Sequence, residues 1–326
     1  MWNTLLTKEN VQDLPSKQWI DTARVYTNNL YQNIQPTNID NITQDIQQQA
    51  YHEIDAVLSR EDFKKSAQAF NNFLTLPQEI KDSFVAKINA KKWFDVWYIQ
   101  KSREQWDTDN KQYFHYNLYT EELLADTIAR YPEAQTFIHE ARKIYLTSIQ
   151  QIAQLLKTRE QKYPGIYKLF IQQQENPHFF IRFLSYDINP IQDTNKDRSA
   201  KWHYDRWSMT IAHAESHPWL RIGSDAQSMQ QVIHQDGKAK YFLSGYFPHL
   251  IIENYPKTLT AKQRKLLAQW NEQAVIQELQ KEMPLWRHDV IQEETVTGLQ
   301  KRRAIVAFFD AVHEEELSYD KTHTPK

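Results

Sequence analysis

The chain has 326 residues, 40% of them hydrophobic, and a formal net charge of −2. This length suffices for one large domain or two ordinary ones, and the balanced charge offers no basic surface of the kind that binds nucleic acid. No apolar run approaches about 18 residues, so we expect no membrane span, and the first residues lack the apolar core and cleavage site of a secretory signal. The absence of cysteine excludes disulfides, thiolate metal ligands and Cys nucleophiles, and it fits a cytoplasmic protein.

The first part of the chain has the spacing of amphipathic helices. Apolar residues recur at helical intervals over about 10–90 and 118–175, among Gln, Lys, Glu and Ala. The clearest helices are expected at 62–74, before Pro77, and at 135–156. Residues 93–99 are expected to form an early strand. Because only five glycines occur and no Gly/Ser/Pro linker divides the chain, we predict a single domain, 1–326, whose first 175 residues are mostly helical.

From about residue 178 the pattern changes to short strands separated by turn residues. One helix, at 260–283, interrupts them. Such a series predicts a barrel or jelly roll. The predicted fold class is therefore α+β, with a jelly-roll (double-stranded β-helix) core over about 178–312 and flanking helices, mainly N-terminal. The predicted strands are 178–186, 208–212, 240–243, 249–252 and 303–309.

One His and one Asp, two positions apart, form the most informative local pattern. His203 and Asp205, combined with a distant His, make the ligand set of a non-haem iron(II) site, which leaves metal positions open. A second His-x-Asp exists at His234 and Asp236, but it runs straight into Gly237, which indicates the tip of a turn. The first pair lies between two tryptophans and leads into an apolar strand, and such a shell keeps water from a metal. We therefore favour His203 and Asp205.

Two histidines compete for the place of the third ligand. His288 lies on an expected strand that precedes an Arg-bearing one, whereas His249 lies on an expected strand nearer to His203. For either residue alone, an exposed or hydrogen-bonded side chain is the simpler interpretation. The order along the chain favours His288.

A charged residue heads the last apolar strand. Arg303 opens the run 303–309, and a charge there costs desolvation energy unless it is paired. A guanidinium binds a carboxylate through two charge-assisted hydrogen bonds, so Arg303 is a candidate anchor for an anionic co-substrate. The alternative is a solvent-exposed strand end paired with Asp or Glu. Arg302 faces the opposite side of the strand and is expected to be the solvated one.

Together these residues resemble the iron(II)/2-oxoglutarate-dependent dioxygenases, specifically their isopenicillin N synthase-like branch. The resemblance spans roughly 65–310. Residues 70–81 are similar to that branch's FF-x-LP-x-E-x-K segment and 109–114 to its D-x-K-E-x-F segment. Residues 182–186 (RFLSY) resemble the strand whose tyrosine contacts the co-substrate. The remaining matches to family motifs are 203–205 (HYD) for H-x-D, 247–254 for P-G-x-L-V-V-N, 288–290 (HDV) for H-R-V, and Arg303 for the Arg of R-x-S-x-x-F-F.

The resemblance implies a function and a role for each matching residue. His203, Asp205 and His288 would hold iron(II), and Arg303, helped by Tyr186, would hold 2-oxoglutarate. With O2, the enzyme would oxidise an unactivated C–H bond of a small-molecule metabolite, with hydroxylation as the default outcome and succinate and CO2 as co-products. The metal would carry out the oxidation of the C–H bond, and the protein would orient the substrate and exclude water. The resemblance also makes His249 structural rather than a ligand.

Three departures from the family pattern keep other functions open. Ile305 stands in the place of the family's Ser, Leu184 stands in the place of its Asn, and about 25 extra residues, the helix at 260–283, precede His288. The extra helix suggests a lid or a subunit contact. Desaturation or oxidative cyclisation on the same fold, or a degenerate jelly roll that binds a metal or ligand without oxidising it, are alternatives. A cupin-like hydrolase or isomerase with a zinc-activated water leaves Arg303 unexplained.

The candidates for the substrate pocket are aromatic and basic residues near these motifs. Trp207 is the strongest, because alternate strand residues share a face and it lies two positions after Asp205. For each tryptophan, plain core packing is an equally good interpretation. The expected partner is a small-molecule substrate, with no nucleic acid and no membrane. The other substrate-binding candidates are Arg206, Trp97 and Arg221.

Overall fold

The computed structural model describes residues 14–36, 42, 44–46, 48, 51–55, 58–87, 95–101, 111–171, 179–187, 198–205, 207–223, 229–282, 287–291 and 301–310. Over these residues, no helix has both the length and the apolar character needed to cross a membrane. The α-helices are α1 Ser16–Asn33, α2 Arg60–Leu74, α3 Gln78–Asp82, α4 Leu118–Arg130, α5 Pro132–Arg159, α6 Ile166–Phe170, α7 Phe247–Asn254, α8 Ala261–Ala268 and α9 Glu272–Glu282.

The two helices that the sequence predicts most clearly form with slightly wider bounds. In α2, the Ser59 side chain accepts a hydrogen bond from the backbone N–H of Asp62, whose carboxylate accepts one from the Ser59 backbone, so the helix begins with a capping box. It ends before Pro77 and buries Phe70 and Phe73. Helix α5 begins at Pro132, where proline suits the first helical turn. Both predictions are confirmed.

The strands of the described residues form two antiparallel sheets. The strands are β1 His52–Asp55, β2 Val85–Lys87, β3 Asp95–Lys101, β4 Lys111–Tyr116, β5 Phe180–Asp187, β6 Arg198–His203, β7 Met209–Glu215, β8 Leu220–Gly223, β9 Gln230–Gln231, β10 Lys238–Leu243, β11 Arg287–Ile291 and β12 Lys301–Phe309. In this part of the chain, an eight-stranded sheet has the order β1-β10-β7-β12-β5-β4-β3-β2, and a four-stranded sheet has the order β6-β11-β8-β9. The prediction of a mixed helix and antiparallel-sheet fold is confirmed.

The strand order from β5 onwards is consistent with a jelly-roll core. β5, β7, β10 and β12 lie in the larger sheet, whereas β6, β8, β9 and β11 lie in the smaller one. The chain therefore crosses repeatedly between the two sheets, as in double-sheet jelly rolls.

The larger sheet has one face toward the helices and one toward a cavity. On β12, Ile305, Ala307 and Phe309 join the main hydrophobic core, which includes α2 and α5. Val306 and Phe308 line the cavity instead, because successive side chains of a strand point to opposite faces. The helices thus cover one side of the sheet and leave its other side to form a site.

Two predicted elements differ in the structure. The expected strand at 249–252 is part of helix α7, since a short apolar run does not separate a strand from a buried helix and Pro248 suits a first turn. The expected helix at 260–283 is two helices, α8 and α9. Between them Trp270 adopts a positive φ of 58°, which ends α8, and the Asn271 side chain accepts a hydrogen bond from Ala274 N (3.2 Å) at the start of α9.

Candidate metal centre

Strand pairing brings the two predicted histidine ligands together. His203 ends β6 and His288 lies near the start of β11, and the two residues are direct partners in the antiparallel register. Their ring centroids are 4.3 Å apart. Asp205 follows His203 by two residues, at the end of β6, and its side chain turns toward the same point.

The three side chains offer ligand atoms at separations close to those that a metal requires. Asp205 Oδ1 lies 3.9 Å from His203 Nε2 and 3.7 Å from His288 Nε2, and the three ligand atoms all lie within 4.8 Å of one another. Metal–ligand bonds of about 2.1 Å place adjacent ligand atoms about 3 Å apart. Side-chain shifts of about an ångström therefore suffice to close the group around one cation.

The Asp205 carboxylate is held in place from the side opposite the histidines. Thr210 Oγ1 donates to Asp205 Oδ2 (2.9 Å) and also contacts Ser244 Oγ (2.7 Å). The backbone N–H of Gly245 donates to the Asp205 carbonyl (2.9 Å). A Cβ at position 245 would lie 3.0 Å from that carbonyl oxygen and 3.1 Å from Tyr204 Cβ. Glycine thus permits the close approach, and Oδ1 remains for a metal.

The histidines differ in their surroundings. Burial lowers the pKa of His288 to about 4, although the neighbouring Asp205 carboxylate raises it. The His288 imidazole is therefore neutral at pH 7 and offers a lone pair. Its Nδ1 atom is buried and has no hydrogen-bond partner among the residues that the structure describes. The His203 side chain is 46% exposed, so the group opens to solvent on that side.

The rival candidates, the pair His234 and Asp236 and the lone His249, do not join this group. Asp236 accepts a hydrogen bond from the backbone N–H of Arg60 (2.7 Å), and Gly237 has a φ of 73°, as a turn tip requires. His249 lies on α7, half-exposed, with Nδ1 2.9 Å from Glu272 Oε1. Within the described ranges, His203, Asp205 and His288 are the His/Asp/Glu group whose ligand atoms lie close enough together to bind a metal.

A cavity that is partly open to solvent extends from this group between the two sheets. Its wall on the larger sheet consists of the side chains that point away from the helices. From β5, β7 and β12 these are Arg182, Leu184, Tyr186, Thr210, Ala212, Ala214, Glu215, Arg302, Ala304, Val306 and Phe308.

Arg302, and not Arg303, lines this cavity, so the prediction of Arg303 is corrected. Arg303 points to the helix side, where its Nε donates to Asn71 Oδ1 (2.5 Å). Arg302 is 3% exposed and is not solvated. Its guanidinium carbon lies 5.1 Å from the Tyr186 ring centroid. Because strand side chains alternate, an error of one position in the sequence assignment places a residue on the wrong face of the sheet. Ile305 shares the face of Arg303 and therefore lies in the core rather than in the cavity.

The Arg302 guanidinium already has a carboxylate partner. Nε donates to Glu215 Oε2 (3.0 Å), and Nη2 donates to the same oxygen. Burial raises the pKa of Glu215, although Arg302 and the backbone N–H groups of Leu220 and Trp219 lower it. His234 Nε2 lies 3.8 Å from Glu215 Oε1. Burial also lowers the pKa of His234 to about 3, so His234 is neutral.

A β-bulge in β7 places the Glu215 side chain on the cavity face of the sheet. Val306 pairs with Ala212, but Ile305 pairs with Ala214, so β7 carries an extra residue, His213, at this point. The bulge changes the phase of the strand. Glu215 therefore turns to the cavity instead of following Ile211 to the helix side.

Of the other predicted site residues, those that the structure describes lie at different distances from the cavity. Tyr186 lines the cavity. Trp207 is buried beside it, 4.8 Å from the Phe180 ring, in a small cluster that includes Phe308. Arg221 makes two hydrogen bonds to Asp289 (2.9 and 2.7 Å) and does not line the cavity, so its assignment to the substrate is corrected. Arg206 and the side chain of Trp97 lie outside the described residues.

Sequence reasoning missed three charged residues of the cavity besides Arg302. Lys111, Arg182 and Glu215 all line it. For Arg182 a signal was present, because it precedes Tyr186 by four positions on one strand and must share its face. Glu215 had no such signal, since the bulge reverses the alternation. Lys111 heads β4, next to β5, and the sequence alone does not pair those strands.

Comparison with known proteins shows a shared fold. No family model matches the sequence, and no curated protein matches it. The 2-oxoglutarate complex of dioxygenase for auxin oxidation 1 from Arabidopsis thaliana is similar with a TM-score of 0.57 and 9% identity, covering 84% of this chain and 88% of that one. The full-length Neurospora crassa T7H in complex with alpha-KG and thymine is similar with a TM-score of 0.54 and 11% identity, covering 93% and 88%.

Proposed function

We propose that this protein is an iron(II)- and 2-oxoglutarate-dependent dioxygenase that hydroxylates a small molecule. The observation that carries the proposal is the meeting of His203, Asp205 and His288 at one end of a cavity that also contains Arg302. Two structures of the same fold contain 2-oxoglutarate or alpha-KG. We further propose that the two sheets form a jelly roll and that the chain is one domain.

The donor set suits iron(II). Two imidazole nitrogens and one carboxylate on the same side of a metal leave positions for other ligands, which is the arrangement of non-haem iron(II) oxygenases. When bound, iron(II) with 2-oxoglutarate and O2 supplies the oxidation, and succinate and CO2 are the co-products. Thr210 fixes Asp205 for this role. The low pKa of His288 keeps its imidazole ready to bind without first losing a proton.

The far end of the cavity suits the distal carboxylate of 2-oxoglutarate. The Arg302 Nη1 group makes no hydrogen bond within the part of the chain that the structure describes. Lys111 adds a second positive charge there, with Nζ 5.5 Å from the Tyr186 ring centroid. Charge-assisted hydrogen bonds to these cations would hold the carboxylate. Glu215 shares the guanidinium and so limits the strength of that binding.

The wall between the two ends excludes water and leaves room for a substrate. Leu184, Ala304, Val306 and Phe308 present apolar side chains to the cavity. A dry wall strengthens the electrostatic contacts inside and protects a reactive centre from side reactions. The solvent-exposed side of His203 provides the route by which a substrate reaches the metal end.

Anaerobic binding followed by exposure to O2 tests the proposal. Iron(II) and 2-oxoglutarate added to the purified protein should give a weak visible charge-transfer band, and O2 should then yield succinate. His288→Ala should abolish the band and the succinate. His249→Ala is the matched control, because this histidine is half-exposed and contacts Glu272, and it should change neither. Absence of both signals from the wild-type protein rejects the proposal.

One observation favours a second function, the binding of a metal or ligand without oxidation. Glu215 already occupies two donors of Arg302, so the position of the co-substrate carboxylate is partly filled by the protein itself. Under this alternative, iron(II) binds through His203, Asp205 and His288, but 2-oxoglutarate gives neither a band nor succinate. The same experiment therefore separates the two functions.

A further inference from the structure

Arg182 occupies a distinct position in the cavity wall. It lies on β5, and its Nε donates to His115 Nε2 on β4 (2.7 Å). Its guanidinium carbon lies 4.6 Å from the Phe308 ring centroid, 5.3 Å from Tyr113 and 5.5 Å from Phe180. Three rings and one imidazole thus hold the guanidinium, and cation–π attraction offsets part of its desolvation.

No carboxylate of the described residues pairs with Arg182. The other arginines near the site have such partners, since Arg302 binds Glu215 and Arg221 binds Asp289. Cation–π attraction to these rings does not give the guanidinium N–H groups an acceptor as strong as a carboxylate oxygen. A half-buried cation whose donors lack acceptors is costly, and the side of Arg182 that His115 leaves open faces the cavity. An anion supplied from outside satisfies it.

Arg182 lies at the metal end of the cavity. Its guanidinium packs on Phe308, which is the register partner of Thr210, and Thr210 donates to Asp205. With strands about 4.8 Å apart, two strand spacings separate β5 from β7, so the guanidinium lies on the order of 10 Å from the metal group. Arg182 is the register partner of Val306, which lies four positions from Arg302 along β12, a separation of about 13 Å. The two arginines therefore serve different anions.

We propose that Arg182 binds the carboxylate of the substrate, and that the substrate is a small carboxylic acid with an apolar body. This inference rests on the proposed function, which assigns the far end of the cavity to the co-substrate. Because Nε is engaged by His115, the edge formed by Nη1 and Nη2 binds the carboxylate with two parallel hydrogen bonds. The apolar body packs on Phe308 and Val306, between the guanidinium and the metal group.

The charges of the cavity agree with a singly charged acid. Its lining contains three cationic side chains (Lys111, Arg182 and Arg302) and two carboxylates (Asp205 and Glu215). Iron(II) adds two positive charges and 2-oxoglutarate removes two. One positive charge then remains, at Arg182, and a monocarboxylate neutralises it.

Paired acids and amides test the proposal by isothermal titration calorimetry. Benzoate, 3-phenylpropionate and hexanoate, each beside its primary amide, are titrated into the metal-free protein and into the protein loaded anaerobically with iron(II) and 2-oxoglutarate. We expect at least one acid to bind about 10- to 100-fold more tightly than its amide, as a charge-assisted contact implies. Arg182→Met should remove this preference, leave the amide unchanged and keep 2-oxoglutarate affinity within about twofold.

Two further variants complete the design. Arg182→Lys keeps the charge without the paired donors, so it should retain part of the preference and serves as a second probe if Arg182→Met folds poorly. Arg130→Met is the matched control, because Arg130 is exposed at the end of α4, and it should behave as the wild type.

The outcomes separate this inference from the proposed function. Acids that bind no better than their amides, or that do not bind at all, overturn the inference, as does an unchanged preference in Arg182→Met. Loss of 2-oxoglutarate binding in Arg182→Met also overturns it, by making Arg182 the co-substrate anchor. If the wild type binds the acids through Arg182 but does not bind 2-oxoglutarate, the proposed function fails and the carboxylate site stands.

Discussion

The ion pair between Arg302 and Glu215 leads to a prediction about stability. Only 3% of the Arg302 side chain and 2% of the Glu215 side chain are exposed. In Arg302→Met, the Glu215 carboxylate loses its counter-ion, and breaking a buried pair in this way costs about 3–5 kcal/mol. The carboxyl group limits that cost by taking up a proton, since burial already raises its pKa.

Protonation sets the size of the effect and its pH dependence. Keeping a proton at pH 7 on a carboxyl whose ordinary pKa is 4.5 costs about 3.4 kcal/mol. We therefore expect Arg302→Met to lose about 3 kcal/mol of unfolding free energy at pH 7. Above pH 4.5 the unfolded variant binds fewer protons than the folded one, so its stability falls as pH rises. At pH 6 the loss should be smaller by about 1.4 kcal/mol.

Urea denaturation at pH 6 and pH 7 measures this loss for Arg302→Met and for the double variant Arg302→Met/Glu215→Gln. The double variant has no carboxylate to bury, so it should recover most of the stability and show no pH dependence in its difference from the wild type. Other titrating groups are shared by all three proteins and cancel from the differences. A loss that is equal at both pH values, or that Glu215→Gln does not reduce, refutes the reasoning.

Three more predictions concern the co-substrate, acid stability and the metal site. Arg302→Lys should weaken 2-oxoglutarate binding about tenfold, whereas Arg303→Lys should not. Titration of the visible charge-transfer band with 2-oxoglutarate measures both affinities. The reverse result would restore Arg303 as the residue that binds the co-substrate carboxylate. Burial lowers the pKa of His213 to about 3, so stability should fall as pH drops from about 6.5 toward 3, by up to about 1.4 kcal/mol per pH unit. Urea melts of His213→Gln should show a shallower slope. Gly245→Ala should crowd the Asp205 carbonyl, costing about 1–3 kcal/mol and weakening iron(II) binding in competition with a chelator.

The metal group was predictable because it depends on local geometry. His203 and Asp205 are two positions apart at the end of a strand, so their proximity follows from the sequence. His288 was identified by chain order, and strand pairing places it directly opposite His203. By contrast, Arg302 and Arg303 are adjacent charges at the head of an almost wholly apolar run. A strand that is buried on both faces shows no alternation, so its phase cannot be read from the sequence.

The remaining errors have equally physical causes. The apolar run in α7 is as compatible with a strand as with a buried helix, and only its packing decides. The break at Trp270 requires a positive φ in a residue that rarely adopts it, and its one local signal was Asn271, a preferred N-cap residue at the start of α9. The helices α2 and α5 were predicted well because their apolar periodicity extends over several turns.

The extra residue in β7 has a consequence for how such a pocket changes over time. Deleting His213 would restore a regular ladder with β12 and leave Glu215 in the cavity, because Glu215 pairs with Ala304, which lines it. A register slip that pairs His213 with Ile305 would instead turn Glu215 to the helix side. Arg302 would then have all its donors available to an incoming dianion. A one-residue slip in strand pairing can thus change the charge of the pocket without replacing any residue that binds the metal.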